Sequence, residues 1–302
     1  MVWAKRFFFF MLVNVLMMLT ISFILNFFNV QPYLTASGMD YESLAAFCLI
    51  YGMVGSFVSL LLSKFMAKRM YGVKIIDANA KESTQRNLYL MVDRLAKSAN
   101  LPRTPEVGIY PSGEVNAFAT GATKGSAMVA VSMGLLNRME QGEIEGVLGH
   151  EIAHIANGDM VTMTLLQGIM NAFVMFFARA IAFAVSQGGR SSDDRDSRGG
   201  GFHSNYMLVF VLEMVLGLAA AVVVAGFSRW REFRADRGGA TFAGRQKMIA
   251  ALERLRATHE LVDGSHPATA AFKIAGARSF LQFFSTHPPL EARIARLKQM
   301  AY

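Results

Sequence analysis

Residues 149–159 read GHEIAHIANGD, and an apolar run begins just behind them, at about residue 162. His150 and His154 stand four apart, with Glu151 beside the first. Positions i and i+4 of a helix share a face, so both imidazoles can reach one point. The surrounding EIEGVLGHEIAHI is predicted to be helical despite its two glycines. Gly149, Ile152, Ala153, Ile155 and Ala156 are small or apolar, whereas His150, His154 and Asn157 fall on one polar stripe. Neutral imidazole binds zinc at ~2.0–2.1 Å. Zinc lowers the pKa of a bound water from 15.7 to about 7, and a carboxylate beside the ligand takes the remaining proton. Glu151 is placed for that role. The plainer alternative is a helix with two surface histidines and a solvated glutamate.

The rest of the chain argues for a membrane setting. Its 302 residues are enough for about two domains of ~150 residues. Hydrophobic residues make up 53% and mean hydropathy is +0.32. Charged residues are 17%, below the ~25% usual in soluble domains, which fits a chain partly solvated by lipid. The net charge is +8 and the pI about 9.7. The basic residues are spread out and mostly flank apolar runs, a membrane pattern rather than a nucleic-acid footprint. Cys48 is the sole cysteine, so no intrachain disulfide forms.

Four apolar runs are visible, at 7–28, 44–63 and about 162–187 and 205–227. The first carries no charge and is long enough to span, since a spanning helix needs ~20 residues. A cleaved signal peptide is the alternative there, with TASG at 35–38 as small residues, but signal cores are only ~7–15 residues long. Lys5 and Arg6 precede the first run, Lys64, Lys68 and Arg69 follow the second, and 29–43 holds no Lys or Arg. The positive-inside rule then puts the N-terminus and the chain beyond residue 64 in the cytoplasm. Arg179 and Glu213 interrupt the third and fourth runs at similar depth in an antiparallel hairpin. Pairing, snorkelling, a wet cavity, and burial in protein rather than lipid all remain open for them. GGRSSDDRDSRGGGFHSN, 188–205, reads as a flexible loop carrying a solvated His203.

This divides the chain into an N-terminal transmembrane hairpin (1–64), a first soluble part with the HExxH (65–161), a second hydrophobic hairpin (162–227) and a second soluble part (228–302). The first soluble part is predicted mixed α/β. A helix covers 83–100, with apolar residues at 88, 91, 92 and 95, and stops at Asn100 before LPRTP. Strands are expected at 107–110 and 127–132, with EVNAFATGATKG supplying a strand and a turn between them. Neither a Walker nor a Rossmann fingerprint is present. The last part reads mostly as helix, STHPP (285–289) starting the final one.

Catalytic zinc needs three protein ligands and an open position. Glu232, Asp236, His259, His266 and His287 are the candidates for the third. The second hairpin leaves from the HExxH helix and returns at about 228, so Glu232 comes back to the same membrane face. Glu232 and Asp236 are four apart; one can bind metal while the other accepts a hydrogen bond from a ligand histidine. The alternative is a solvated acidic pair among Arg229, Arg231, Arg234 and Arg237.

HEIAHIANGD, EFRAD after a hydrophobic hairpin, and THPPLEARI near the end together resemble the HtpX-type membrane zinc metalloproteases, quality-control enzymes related to the CAAX prenyl proteases. The resemblance covers the whole chain. It implies a mainly α zincin-like fold with a small β-sheet and about four transmembrane helices in two hairpins. It implies one Zn2+ per chain, held by His150, His154 and Glu232, with Glu151 as general base and Asp236 as the second acidic position. The implied activity is endopeptidase cleavage of misfolded or damaged membrane proteins at the cytoplasmic face of the bacterial inner membrane. In such enzymes an Asn-Ala edge segment holds the substrate backbone, which points to Asn116 and Ala117; a turn residue is the other reading of Asn116. His287 is a candidate donor to the transition-state oxyanion, or a structural histidine before Pro-Pro. Arg293 is placed to tie down the last helix, and His259 and His266 read as surface residues. Intramembrane cleavage is disfavoured because the HExxH precedes its apolar run; prenylated-protein cleavage shares the chemistry. A different class altogether is a non-enzymatic membrane scaffold or transporter, with Arg179 and Glu213 as its working pair.

Overall fold

In a computed structural model, the protein is described at residues 15, 19–28, 30, 33–35, 38–188, 200–264 and 285–300, with the side chains of 187–188, 200–205 and 259–264 left aside. The first apolar run is helical over 19–27 and otherwise lies mostly outside the described residues, as does most of the 188–205 loop. His266 and the side chains of His203 and His259 lie outside them too.

The chain forms two compact units, residues 1–59 with 164–224, and 60–163 with 225–302. Strands β1 (Leu34–Thr35) and β2 (Gly38–Met39) form a short antiparallel ladder in the first unit. Among the described residues, three helices are long and apolar enough to cross a membrane: α1 (Tyr41–Tyr71), the Asp159–Ser186 part of α5 (Asp159–Gly188), and the Tyr206–Ala243 part of α6 (Gly200–Ala243). Each runs through both units. Helix α6 begins inside the stretch read as loop, at Gly200.

Small residues and one ion pair hold the first unit's helices. A methyl group added to Gly52 would stand 2.5 Å from the Gly168 carbonyl oxygen, so the two backbones touch. Such close approach is the main source of helix association where no water is displaced. Arg179 donates to Glu213 Oε1 at 2.7 Å, so the two charges of the hairpin neutralise each other. Phe173, Phe177, Phe210 and Val215 stay exposed, as lipid-facing side chains do.

The second unit is built on a four-stranded sheet in the order β3-β4-β6-β5. Here β3 is Lys74–Ile76, β4 Glu106–Tyr110, β5 Ala117–Thr120 and β6 Met128–Ser132. β4 and β6 pair in parallel, and β3 and β5 add antiparallel on the outside. All five residues of MVAVS in β6 are buried, as expected of a central strand. Helix α2 (Ser83–Ser98) turns Leu88, Met91, Val92, Leu95 and Ala96 inward, one stripe at helical period. Helices α3 (Met133–Arg138) and α4 (Gln141–Asn157) follow the sheet, and α7 (Arg245–Gly264) and α8 (Leu290–Lys298) complete the unit. The core joins Val92, Leu95, Val129, Leu148, Ile152 and Ile155 from α2, β6 and α4.

Candidate metal centre

Helix α4 carries HExxH on its most buried stretch, because two neighbours press against it. A Cβ added to Gly149 would meet the Ala243 methyl at 2.8 Å, and one added to Gly239 would meet the His150 backbone nitrogen at 2.9 Å. Helices α4 and α6 therefore cross almost backbone to backbone. That crossing lays the Glu232–Asp236 turn of α6 beside His150. At its other end, α4 stops at Gly158, whose φ of 70° lets its N–H cap the carbonyls of His154 and Ile155. The reversal puts Asp159, the first residue of α5, back against His154.

The two imidazoles meet at 86° with Nε2 atoms 3.0 Å apart. Glu232, 1% exposed, sets Oε2 at 3.4 Å from His150 Nε2 and Oε1 at 3.3 Å from His154 Nε2. Bonds of ~2.0–2.1 Å in a tetrahedron put ligand atoms roughly 3.3 Å apart, so this trio has the spacing of a metal's coordination shell. The outer nitrogens support the same reading. His154 Nδ1 donates to Asp159 Oδ2 at 2.6 Å, and His150 Nδ1 donates to Asp236 Oδ1 at 3.0 Å. Both bonds hold a proton on Nδ1, which leaves the two Nε2 atoms as the ones that can turn to a cation.

Electrostatics follow the same pattern. Burial by itself lowers the His150 pKa, but its bonds to Asp236 and Glu232 outweigh this and push it up to about 9. Burial would raise Glu232, but hydrogen bonds from His150, His154 and His287 hold it far below the carboxylate range. Asp236 is lowered against its own burial, chiefly by Arg293. The cluster attracts positive charge, and a divalent cation supplies more of it than a proton does.

Arg293 of α8 is buried and forks onto Asp236, Nε to Oδ2 at 2.8 Å and Nη2 to Oδ1 at 2.6 Å. Its Nη1 lies 3.5 Å from Glu232 Oε2. His287 Nδ1 donates to Glu232 Oε2 at 2.9 Å with 65% of its side chain exposed. Glu151 faces a cleft of about 780 Å³ and has no hydrogen-bond or ion-pair partner among the described residues. Ala117 of edge strand β5 and Asn116 just before it line the same cleft.

The structure thus brings together His150, His154, Glu232, Asp236 and His287, with Glu151, Asn116 and Ala117 on the shared cleft. Sequence reasoning missed Asp159, the partner of His154. Its signal was the Asn-Gly-Asp that ends the quoted stretch, a helix stop followed at once by a carboxylate.

The profile of Peptidase family M48 matches residues 82–301. Protease HtpX homolog of Methylacidiphilum infernorum is 46% identical over 301 residues, 98% of this chain and 99% of that one. Protease HtpX of Shewanella denitrificans is 48% identical over 295 residues, 97% of this chain and 99% of that one. The crystal structure of S. mikatae Ste24p shares the fold at a TM-score of 0.64 and 17% identity, over 98% of this chain and 66% of that one. These likenesses remove the non-enzymatic scaffold or transporter reading. The chain belongs to peptidase family M48, among its HtpX-type bacterial membrane proteins, and is a metalloprotease that hydrolyses peptide bonds.

Proposed function

We propose that the protein is a zinc-dependent endopeptidase of the bacterial inner membrane, with its active site on the cytoplasmic side and misfolded or damaged membrane proteins as substrates. The observation that carries the zinc assignment is the His150–His154–Glu232 trio, spaced as a tetrahedral ion requires and backed by Asp236 and Asp159. Imidazole nitrogen with a single carboxylate is a donor set suited to zinc. When bound, zinc supplies an electrophile that polarises the scissile carbonyl and acidifies water.

The chain's own residues do the rest. Glu151, unpartnered on the cleft, takes the proton from the attacking water and passes it to the leaving amine. His287 stands on the open side of Glu232 and donates to the developing oxyanion. The β5 edge from Asn116 and Ala117 pairs with an extended substrate backbone, fixing it along the cleft. Arg293 holds Asp236, and Asp236 holds His150.

The cytoplasmic orientation rests on Lys5, Arg6, Lys64, Lys68 and Arg69 flanking apolar runs whose intervening loop lacks positive charge. The substrate class is what the resemblance of the HEIAHIANGD, EFRAD and THPPLEARI motifs to HtpX-type proteases implies.

Elemental analysis beside casein cleavage tests the site. Wild type and Glu151→Gln should each hold about one zinc, Glu232→Ala little, and only wild type should cleave. Cleavage by Glu151→Gln at the wild-type rate would remove it as the base. Tight zinc in Glu232→Ala would move the third ligand elsewhere.

A further inference from the structure

Basic residues flank two of the apolar helices, with different surroundings. At the end of α1, Lys64 and Lys68 both bind Glu106, at 2.8 and 2.6 Å, so their charge is answered within the protein. Past the apolar run of α6 the acids turn inward. Glu232 and Asp236 are buried in the metal centre, and Arg231 faces Glu232 and Asp159. Trp230, Arg234 and Arg237 stay exposed. At ~100° per residue, Phe233, Arg237, Trp230 and Arg234 fall within one quadrant of the helix, and Glu232 lies roughly 150° from its centre. Arg296 of α8 adds a further exposed guanidinium, its carbon 4.7 Å from the centre of the Phe233 ring. Arg237 and Arg296 line one hollow. Asp236 lines it too, but Arg293 and His150 already engage its oxygens. Arg234, Arg237 and Arg296 have no acidic partner among the described residues.

Depth decides what meets this quadrant. The apolar run ends at about 227, so Trp230 stands ~4.5 Å and Arg234 ~10 Å beyond it along the axis. The headgroup layer of a bilayer is ~5–7 Å deep. Side chains of a helix lean toward its N-terminus, which for α6 is the apolar run. Arg234 does so: its guanidinium carbon lies 5.9 Å from the centre of the Trp230 ring, one turn back. The Trp230 ring touches Phe227, at the end of the run, with centroids 5.5 Å apart. Trp230 is 54% exposed. In water that leaves a large apolar face uncovered, whereas at headgroup level both the ring and its N–H are accommodated. Guanidinium matches the oxygens of a phosphate bidentately.

We propose that Trp230, Arg234 and Arg237 of α6, with Arg296 beside them, form a binding site for the phosphate headgroup of an anionic phospholipid. Glu232 lies in the same turn, so a headgroup held here fixes the height of the metal-centre helix at the bilayer surface. One basic residue at an anionic surface strengthens attachment roughly fivefold, so Arg234 and Arg237 together contribute about 25-fold at low salt.

The chain has two tryptophans, so Trp3→Phe leaves Trp230 as the only emitter. The full chain in this background is reconstituted into phosphatidylcholine bilayers at low salt. Quenching of Trp230 by brominated phosphatidylglycerol is compared with quenching by brominated phosphatidylcholine, which gives the relative affinity of the two lipids beside that ring. The ratio should favour the anionic lipid by about 25-fold or more, and Arg234→Gln with Arg237→Gln should bring it within about fivefold, the share left to Arg296. Arg69→Gln with Lys74→Gln removes the same charge from other exposed positions of the unit and should leave the ratio unchanged. Equal quenching by the two lipids before any arginine is changed overturns the site. So does an unchanged ratio in the arginine variant, or an equal loss in the control, which would mean diffuse surface charge. Inorganic phosphate, set against chloride at matched ionic strength, should not displace the lipid; displacement would overturn the lipid assignment in favour of a soluble phosphate. If the double variant fails to reconstitute, Arg234→Gln alone substitutes, with an expected drop of about fivefold.

Discussion

Asp159→Asn keeps the shape of a side chain while removing its charge. Asp159 is 3% exposed and receives His154 Nδ1–H at 2.6 Å, a charge-assisted bond in a dry site. The amide oxygen of Asn still accepts, but without the charge that strengthens the bond and holds the ring in place. Loss of such an outer partner costs ~10–100-fold in metal affinity, or about 1.4–2.7 kcal/mol. A control separates this from mere destabilisation. Glu145 sits on α4, the helix of His154, is 7% exposed, and bridges Arg94 and Lys247 at 2.8 Å each. Both cationic partners are largely exposed, so Glu145→Gln should cost about 1 kcal/mol of folding stability and leave metal affinity alone. Competition titration against a chelator of known affinity, read by elemental analysis, measures both variants. The reasoning fails if Asp159→Asn binds within about twofold of wild type, or if Glu145→Gln weakens as much.

Arg293→Met leaves the Asp236 carboxylate buried with His150 as its remaining partner, so chemical denaturation should show a loss of about 3 kcal/mol; an unchanged midpoint would mean that the fork contributes nothing. Gly239→Ala drives a methyl to 2.9 Å from the His150 nitrogen and should cost about 1–3 kcal/mol together with metal affinity, whereas wild-type melting would place the helices further apart than described. Gly158→Ala forces a side chain into left-handed backbone and should cost about 1–2 kcal/mol in the same assay; no loss would show that the turn has another conformation. Chelation should abolish casein cleavage and stoichiometric zinc restore it; chelator-resistant cleavage would place the chemistry outside this cluster.

The sequence made much of this legible, for local reasons. The HExxH spacing gives a helix face, and the short apolar runs VGIY and AMVAVS read as strands at 107–110 and 127–132, found as β4 and β6 at Glu106–Tyr110 and Met128–Ser132. The depth match of Arg179 and Glu213 came from counting alone, and the ion pair is present. What stayed hidden depends on three dimensions. Asp159 reaches His154 only because Gly158 turns the chain back, and a backbone angle leaves no periodicity behind. The change from apolar to charged residues at 228 lies close to the 224/225 division between the two units, but the continuity of α6 across it was not legible, because side-chain polarity changes without interrupting backbone hydrogen bonds. Which of Glu232 and Asp236 faces the two Nε2 atoms was set by the α4–α6 crossing, where Gly149 and Gly239 admit a contact that no local pattern encodes. The fork from Arg293 needed α8 to dock, an event far along the chain.

The order in which these groups occur along the chain has a consequence during synthesis. His150 and His154 leave the ribosome early, bound to the start of one long apolar helix, while Glu232 and Asp236 sit at the end of another and Arg293 comes later still. A nascent or truncated chain holding only the first pair has two imidazoles and no carboxylate to complete the cluster. The His150–His154–Glu232 cluster is therefore complete only after both apolar helices have been made, and Arg293, which holds Asp236, joins it last.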